Sequence, residues 1–173
     1  MAARHARDGA TLWRHLWLDE HDARRWVGRD GLVRLAQQVR ESEAHHLGEI
    51  RVCIEAALPL PRLLQGQSPR ARALALFERL GIGRTRGRNG VLVYLLLADH
   101  AIEVVVDPAL HTLAPPAHWQ PVVDAVRAHA APGHPLQGLQ RALETIDRLL
   151  REHVPVGPGG ANPNELPDEP LVI

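Results

Sequence analysis

The first half of the chain carries a helical, then a strand, then a second helical pattern of apolar residues. Apolar side chains at the spacing i, i+3, i+4 and i+7 predict a helix over residues 30–46. Apolar and polar residues alternate over 49–57, which is the period of a half-buried strand. Ser68 followed by Pro69 is typical of a helix start, and the stripe behind it predicts a helix over 68–81.

The second half begins with two strand patterns and ends with two helical ones. Residues 91–97 are apolar throughout, as in a strand buried on both faces, and 101–106 form a second β-rich run after a short turn. These two runs predict a hairpin. Helical stripes then predict one helix that begins near Trp119 and ends before Pro132, and another that ends near His153.

This order of elements predicts an α/β fold. The strand-helix-strand unit forms a parallel pair through a crossover, and the hairpin adds a third, antiparallel strand. The expected architecture over 30–153 is a small mixed sheet with helices on both faces. Residues 1–29 are interpreted as an N-terminal helical extension whose Trp13 and Trp17 cover a hydrophobic edge. The Pro- and Gly-rich residues 154–173 are interpreted as a flexible tail.

The composition of the chain argues against several classes of protein. The 173 residues carry 20 basic and 20 acidic side chains, and this balance argues against nucleic-acid binding, which needs a positive face. The single cysteine, Cys53, allows no intramolecular disulfide and is expected in the core. The sequence shows neither the apolar core of a signal peptide nor a membrane-spanning run of ~20 apolar residues. We therefore expect a cytoplasmic protein without a transmembrane segment.

Three stretches within these elements suggest a family. They are GEIRV at 48–52, FERLGIG at 77–83 and NGVLV at 89–93. In this order, the segment from about Asp30 to His153 resembles the TPM domain family. The resemblance implies a three-layer α/β/α sandwich with a small mixed sheet, here in a soluble, divergent member.

The same resemblance bears on activity. Members of the family have been assigned acid phosphatase activity, metal binding or a role in maintaining membrane protein complexes. Where the family carries a glycine-rich segment after its third strand, this chain reads DPALH at 107–111. The resemblance therefore implies a fold more firmly than it implies a reaction.

Topology predicts one edge of the sheet where polar side chains meet. The starts of the first and second strands and the end of the third lie at this edge, because the third strand is antiparallel to the others. The candidate metal ligands there are Glu49, Asn89, Asp107, His111 and His46, with His45 beside them. Oxygen ligands favour calcium, magnesium or manganese, and imidazoles favour zinc or manganese. The alternative interpretation is solvated strand ends, histidines at a helix end and a turn asparagine.

The arginine-rich loop 84–88 does not predict a nucleotide cofactor. Phosphate loops run from a strand into the N-terminus of a helix, whereas this loop runs from a helix into a strand. Its three arginines can attract an acidic protein partner, and the acidic tail with its apolar end is a second candidate contact. The alternatives are a solvated loop and an unattached tail.

The residues leave the choice between a binding protein and an enzyme open. No Gly-x-Ser-x-Gly elbow or other nucleophile pattern occurs, which favours a binding or accessory module with a divalent cation at the predicted edge. The alternative hypothesis is a metal-assisted acid phosphatase, in which the cation polarises a phosphoryl oxygen and His111 or His46 transfers a proton.

Overall fold

The computed structural model describes residues 8–129 and 135–173. Within them, four strands form one sheet in the order β3-β2-β1-β4. The strands are β1 (Glu49–Glu55), β2 (Gly90–Leu96), β3 (Ala101–Val106) and β4 (Leu171–Val172). β1 is parallel to both β2 and β4, whereas β3 is antiparallel to β2. The predicted mixed sheet is confirmed, with one strand more than expected.

Helices precede, connect and follow the strands. In chain order they are α1 (Gly9–Trp17), α2 (Glu20–Val27), α3 (Arg29–Glu43), α4 (Leu60–Leu64), α5 (Pro69–Arg79), α6 (Leu110–Leu113), α7 (Gln120–His129) and α8 (Pro135–His153). Two 3₁₀ turns lie at Ile82–Arg84 and Pro116–Trp119. α3 ends earlier than predicted, because His46 leaves the helix to form a β-bridge with Pro155. The predicted boundary at Pro132 lies outside the described residues.

The sheet separates two hydrophobic layers, which confirms the three-layer α/β/α architecture. On one face, Ile50, Val52 and Ile54 of β1 belong to the same buried cluster as the inner sides of α3 and α8. On the other face, Cys53 packs in a cluster with Leu76 of α5. Alternating side chains of a strand point to opposite faces, so the single pattern of β1 serves both layers. Every residue of β2 is buried, as its unbroken apolar run predicts.

The C-terminal segment differs from the predicted flexible tail. Its last residues form β4, in which Leu171 lies opposite Cys53 and Val172 opposite Ile54. The backbone N–H of Ile173 donates to the carbonyl oxygen of Ile54 at 2.9 Å. This pairing covers an edge of β1 that would otherwise expose unpaired backbone groups. A strand of two residues is too short to leave a periodic pattern, so the sequence did not indicate it.

The N-terminal extension is helical, but its tryptophans do not cover a hydrophobic edge as predicted. Trp13 and Trp17 are 63% and 72% exposed, and their rings stack with centroids 6.4 Å apart. α1 buries a polar side chain in their place. His15 Nε2 lies 2.8 Å from Asp99 Oδ1, and its Nδ1 accepts the N–H of Leu58 at 3.0 Å. Hydrogen bonds to a buried histidine therefore hold this helix on the domain.

Gly90, the first residue of β2, is expected to tolerate no side chain. A Cβ there would clash with the carbonyl oxygen of Ile82. Because backbone atoms yield little, Gly90→Ala is expected to lower the free energy of unfolding by about 1–3 kcal/mol. Urea unfolding measures the loss, with Gly157→Ala as the control, since a Cβ at Gly157 meets nothing within 4 Å. Equal stability of the two variants would contradict the prediction.

Candidate functional site

Three of the predicted ligands lie at one end of the sheet, which we call the rim. The N–H of Glu49, at the start of β1, donates to the carbonyl oxygen of Asn89 at 3.1 Å. The N–H of Asp107, just after β3, donates to the carbonyl oxygen of Gly90 at 2.9 Å. The backbone thus places Glu49, Asn89 and Asp107 across three neighbouring strands, and all three residues are buried.

Both carboxylate oxygens of Asp107 accept hydrogen bonds from residues nearby in the sequence or in the neighbouring loop. Oδ2 accepts from Arg88 Nε at 3.0 Å, and Oδ1 accepts the N–H of Ala109 at 2.9 Å. The guanidinium neutralises the buried charge, and the amide contact holds the turn that follows β3. Asp107 is therefore a paired residue that stabilises a turn.

Asn89 connects the starts of the two central strands. Its side-chain amide donates to the carbonyl oxygen of Leu47, and its backbone N–H donates to Thr85 Oγ1 at 3.2 Å. Its Oδ1 is buried and has no hydrogen-bond partner among the described residues. Asn89 thus fixes the loop geometry and leaves one oxygen free.

The two predicted histidine ligands make other contacts, and the Nδ1 atom of each is buried without a hydrogen-bond partner among the described residues. The fully buried His46 has its Nε2 2.8 Å from Ser42 Oγ, and this hydroxyl donates to Asp147 Oδ1 at 2.8 Å. Burial lowers the pKa of His46 to about 4, so its ring is neutral near pH 7. The ring of His111 packs edge-on against Trp119, with centroids 6.5 Å apart. His46 therefore belongs to a helix-packing network, and His111 to an aromatic contact.

Glu49 faces the C-terminal segment. Its Oε2 accepts the N–H groups of Glu165 and Leu166 at 2.8 and 3.0 Å. Its Oε1 is buried without a hydrogen-bond partner among the described residues. Burial raises the pKa of Glu49, and the negative charges of Glu165 and Asp168 add to the rise, while the two N–H groups oppose it.

Two further buried carboxyl groups are not among the ligands predicted from the sequence: Glu43 at the end of α3 and Asp168 ahead of β4. Glu43 Oε1 accepts the N–H of Ile50 at 2.6 Å, and Asp168 Oδ2 accepts from Arg40 Nε at 3.0 Å. The other oxygen of each is buried and has no partner in the described part of the chain. Burial raises the pKa of Glu43 to about 8, and the charges of Glu49 and Asp168 contribute to the rise.

Of these two residues, only Glu43 could have been recognised from the sequence as a buried carboxyl group. It lies four positions after Val39 and so continues the apolar stripe of α3, where a carboxylate is unusual. Asp168 lies in a segment without periodicity, and no local pattern could place it against Arg40, 128 positions away.

We name Glu43, Glu49 and Asp168 the rim carboxylates. The charge of Asp168 raises the pKa of both glutamates, and Arg40 pairs with Asp168. Across residues 8–129 and 135–173, no group of three or more His, Cys, Asp or Glu side chains is already arranged to hold a metal ion. The rim carboxylates are therefore a cluster of buried acids short of positive charge, and not a preformed coordination shell.

The arginine-rich loop and the C-terminal segment, both predicted to contact a partner, contact each other. The N–H of Arg86 donates to the carboxylate of Glu165 at 3.1 Å. Arg51 of β1 also donates to the carbonyl oxygen of Pro167 at 2.8 Å. These contacts hold the segment along the sheet, and binding of an external protein at either place stays a prediction.

The fold and the sequence pattern define the class of protein. The family model of the TPM domain matches residues 29–149, which is most of the chain. The chain therefore belongs to the TPM domain family, as the resemblance of its three stretches implied.

A solved structure has the same fold. The NMR structure of the BA42 protein from the psychrophilic bacterium Bizionia argentinensis is similar with a TM-score of 0.70 and 22% sequence identity, over 83% of this chain and 93% of that chain. A comparison with curated proteins gives no match. Among the described residues, no helix combines the length and apolar character that crossing a bilayer requires.

Proposed function

We propose that this TPM-domain protein is an accessory binding module that takes up a divalent cation at the rim carboxylates. The observation that carries the proposal is that Glu43, Glu49 and Asp168 each bury one oxygen without a partner among the described residues. A buried carboxylate without enough donors is unfavourable, and the pKa of about 8 means that Glu43 holds a proton near pH 7. A cation bound between these oxygens takes the place of that proton and relieves the cost. Arg40 pairs with Asp168, whereas the free oxygens of Glu43 and Glu49 have no donor among the described residues.

The donor set favours a hard cation. The free atoms of the rim carboxylates are oxygens, as is the Oδ1 of Asn89 at the same end of the sheet, whereas the Nδ1 atoms of His46 and His111 are the buried unpartnered nitrogens among the described residues. Calcium, magnesium and manganese prefer such oxygen ligands, whereas zinc prefers imidazole and thiolate. Of the ligands predicted from the sequence, the proposal keeps Glu49 and Asn89 and adds Glu43 and Asp168.

The alternative function, a metal-assisted phosphatase, has no comparable support. It requires Asp107 on the cation and His111 or His46 beside the substrate. Both oxygens of Asp107 already have donors, the ring of His111 packs on Trp119, and the ring of His46 bonds to Ser42. We therefore propose binding of a cation and no catalytic step.

Thermal unfolding tests cation uptake directly. A ligand that binds only the folded state at about 100 times its Kd adds about 2.7 kcal/mol, which raises the melting temperature by about 5–10 °C. We expect this rise when calcium, magnesium or manganese is added to EDTA-treated protein. A melting temperature unchanged by all three would contradict the proposal.

Glu49→Gln tests the assignment of the site. The amide keeps the shape of the side chain but removes its charge, so the Kd measured by isothermal titration is expected to rise on the order of tenfold or more. Glu41→Gln is the matched control, because Glu41 is exposed on α3 and bonds to Gln37. Equal affinities of the two variants would mean that the cation binds elsewhere.

A further inference from the structure

A groove of about 320 Å³ lies between the Pro116–Trp119 turn, the start of α7 and the last turns of α8. Two imidazoles face each other at its margin. His118 Nδ1 lies 3.0 Å from His153 Nε2, and the ring centroids are 4.8 Å apart. The two residues are 35 positions apart, so tertiary structure alone brings them together.

The two facing nitrogens are spaced almost like neighbouring ligands of one metal ion. Zinc–nitrogen bonds are about 2.0–2.1 Å long, so two nitrogens on a tetrahedral zinc ion lie about 3.3 Å apart. Rotation of the exposed rings by a small angle opens the observed 3.0 Å to that distance. In the metal-bound state the protons of the neutral rings sit on the outer nitrogens, Nε2 of His118 and Nδ1 of His153.

The surroundings of the pair favour a cation on balance. Glu152 lines the same groove and adds a negative charge near the pair. His153 is the last residue of the 19-residue α8, where the negative end of the helix dipole lies. Arg148 also lines the groove and opposes a cation, but its guanidinium can hold an anion that occupies a further coordination position.

We propose that His118 and His153 form a two-imidazole surface site for a transition-metal ion of the zinc class. The remaining coordination positions are open to water or to an external anion. Imidazoles select zinc, copper or nickel over calcium and magnesium. The site is independent of the rim carboxylates, because the two share no residue and differ in ligand chemistry.

Isothermal titration with zinc chloride tests the site in the full chain carrying Glu49→Gln, a background that weakens binding at the rim. One zinc ion per chain is expected to bind. His118→Ala and His153→Ala, each added to this background, are expected to weaken zinc binding on the order of tenfold or more. His21→Ala is the control, since His21 is exposed on α2. NMR signals of the His118 and His153 rings are expected to shift with zinc.

Zinc binding that is equal in the background chain, His118→Ala and His153→Ala would overturn this proposal, and so would the absence of binding. The two rings would then be a hydrogen-bonded pair only. Both residues lie at the surface, and circular dichroism checks that the variants are folded. Zinc binding without any calcium, magnesium or manganese response would refute the rim proposal alone, and the reverse result would refute the zinc site alone.

Discussion

Replacing Arg72 with methionine is expected to lower the free energy of unfolding by about 3–5 kcal/mol, because it breaks a buried ion pair. Arg72 Nε and Nη2 donate to the two carboxylate oxygens of Glu55 at 2.9 and 2.6 Å, and both side chains are more than nine-tenths buried. The hydroxyl of Tyr94 also donates to Glu55 at 2.6 Å. Methionine fills the space but leaves a buried carboxylate with the tyrosine as its remaining donor among these contacts.

Arg79→Met is the matched control for this variant. Arg79 lies on the same helix but is exposed, so its replacement is expected to change stability by less than about 0.5 kcal/mol. Urea unfolding of both variants gives the comparison. Adding Glu55→Gln to Arg72→Met is expected to recover part of the loss, because the unpaired charge is then removed. A loss below about 1 kcal/mol for Arg72→Met, as for a surface pair, would contradict the prediction.

Acidification is expected to remove about 3 kcal/mol of stability through His46 alone. Burial lowers the pKa of His46 from 6.5 to about 4. Between these values the unfolded chain binds a proton that the folded chain excludes. The contribution is therefore complete above pH 6.5 and is lost as the pH falls through about 4. The magnitude follows from about 1.4 kcal/mol for each unit between the two pKa values.

His46→Gln isolates this contribution, because other groups titrate in the same range. Glu43, whose pKa burial raises from 4.5 to about 8, acts in the opposite sense and favours the folded state as the pH falls through that interval. The measurement is urea unfolding in steps from about pH 7 to about pH 4. Wild-type protein is expected to lose stability relative to His46→Gln over this range, and parallel curves would contradict the prediction.

The strands and the larger helices could be predicted because their signals are local. The alternation over 49–57 and the apolar run over 91–97 indicate which side chains are buried, and this pattern of burial predicts a strand in each case. β4 and α4 were not predicted because two and five residues are too few to show a repeating pattern. The prediction that Trp13 and Trp17 cover a hydrophobic edge was wrong, because hydrophobic character favours burial without ensuring it.

The position of the rim was predicted from the sequence, but the contacts of its side chains were not. Strand order placed Glu49, Asn89 and Asp107 at one end of the sheet. Which oxygens remain free there depends on side chains that the strand order does not specify, such as Arg88 on Asp107. The sequence positions of His46 and His111 predict a place at the rim, but packing turns the Nε2 of His46 toward Ser42.

The amino-acid sequence alone determined the class of fold, the central position of β2 and the common end of three strands, because periodic burial and chain order are properties of neighbouring residues. Only the tertiary structure decided that Glu43 and Asp168 accompany Glu49, and that His118 meets His153. These groups lie far apart along the chain, and their contacts arise when helices and the C-terminal segment pack against the sheet. Such packing is set by the sum of many apolar contacts, and no single local motif encodes it.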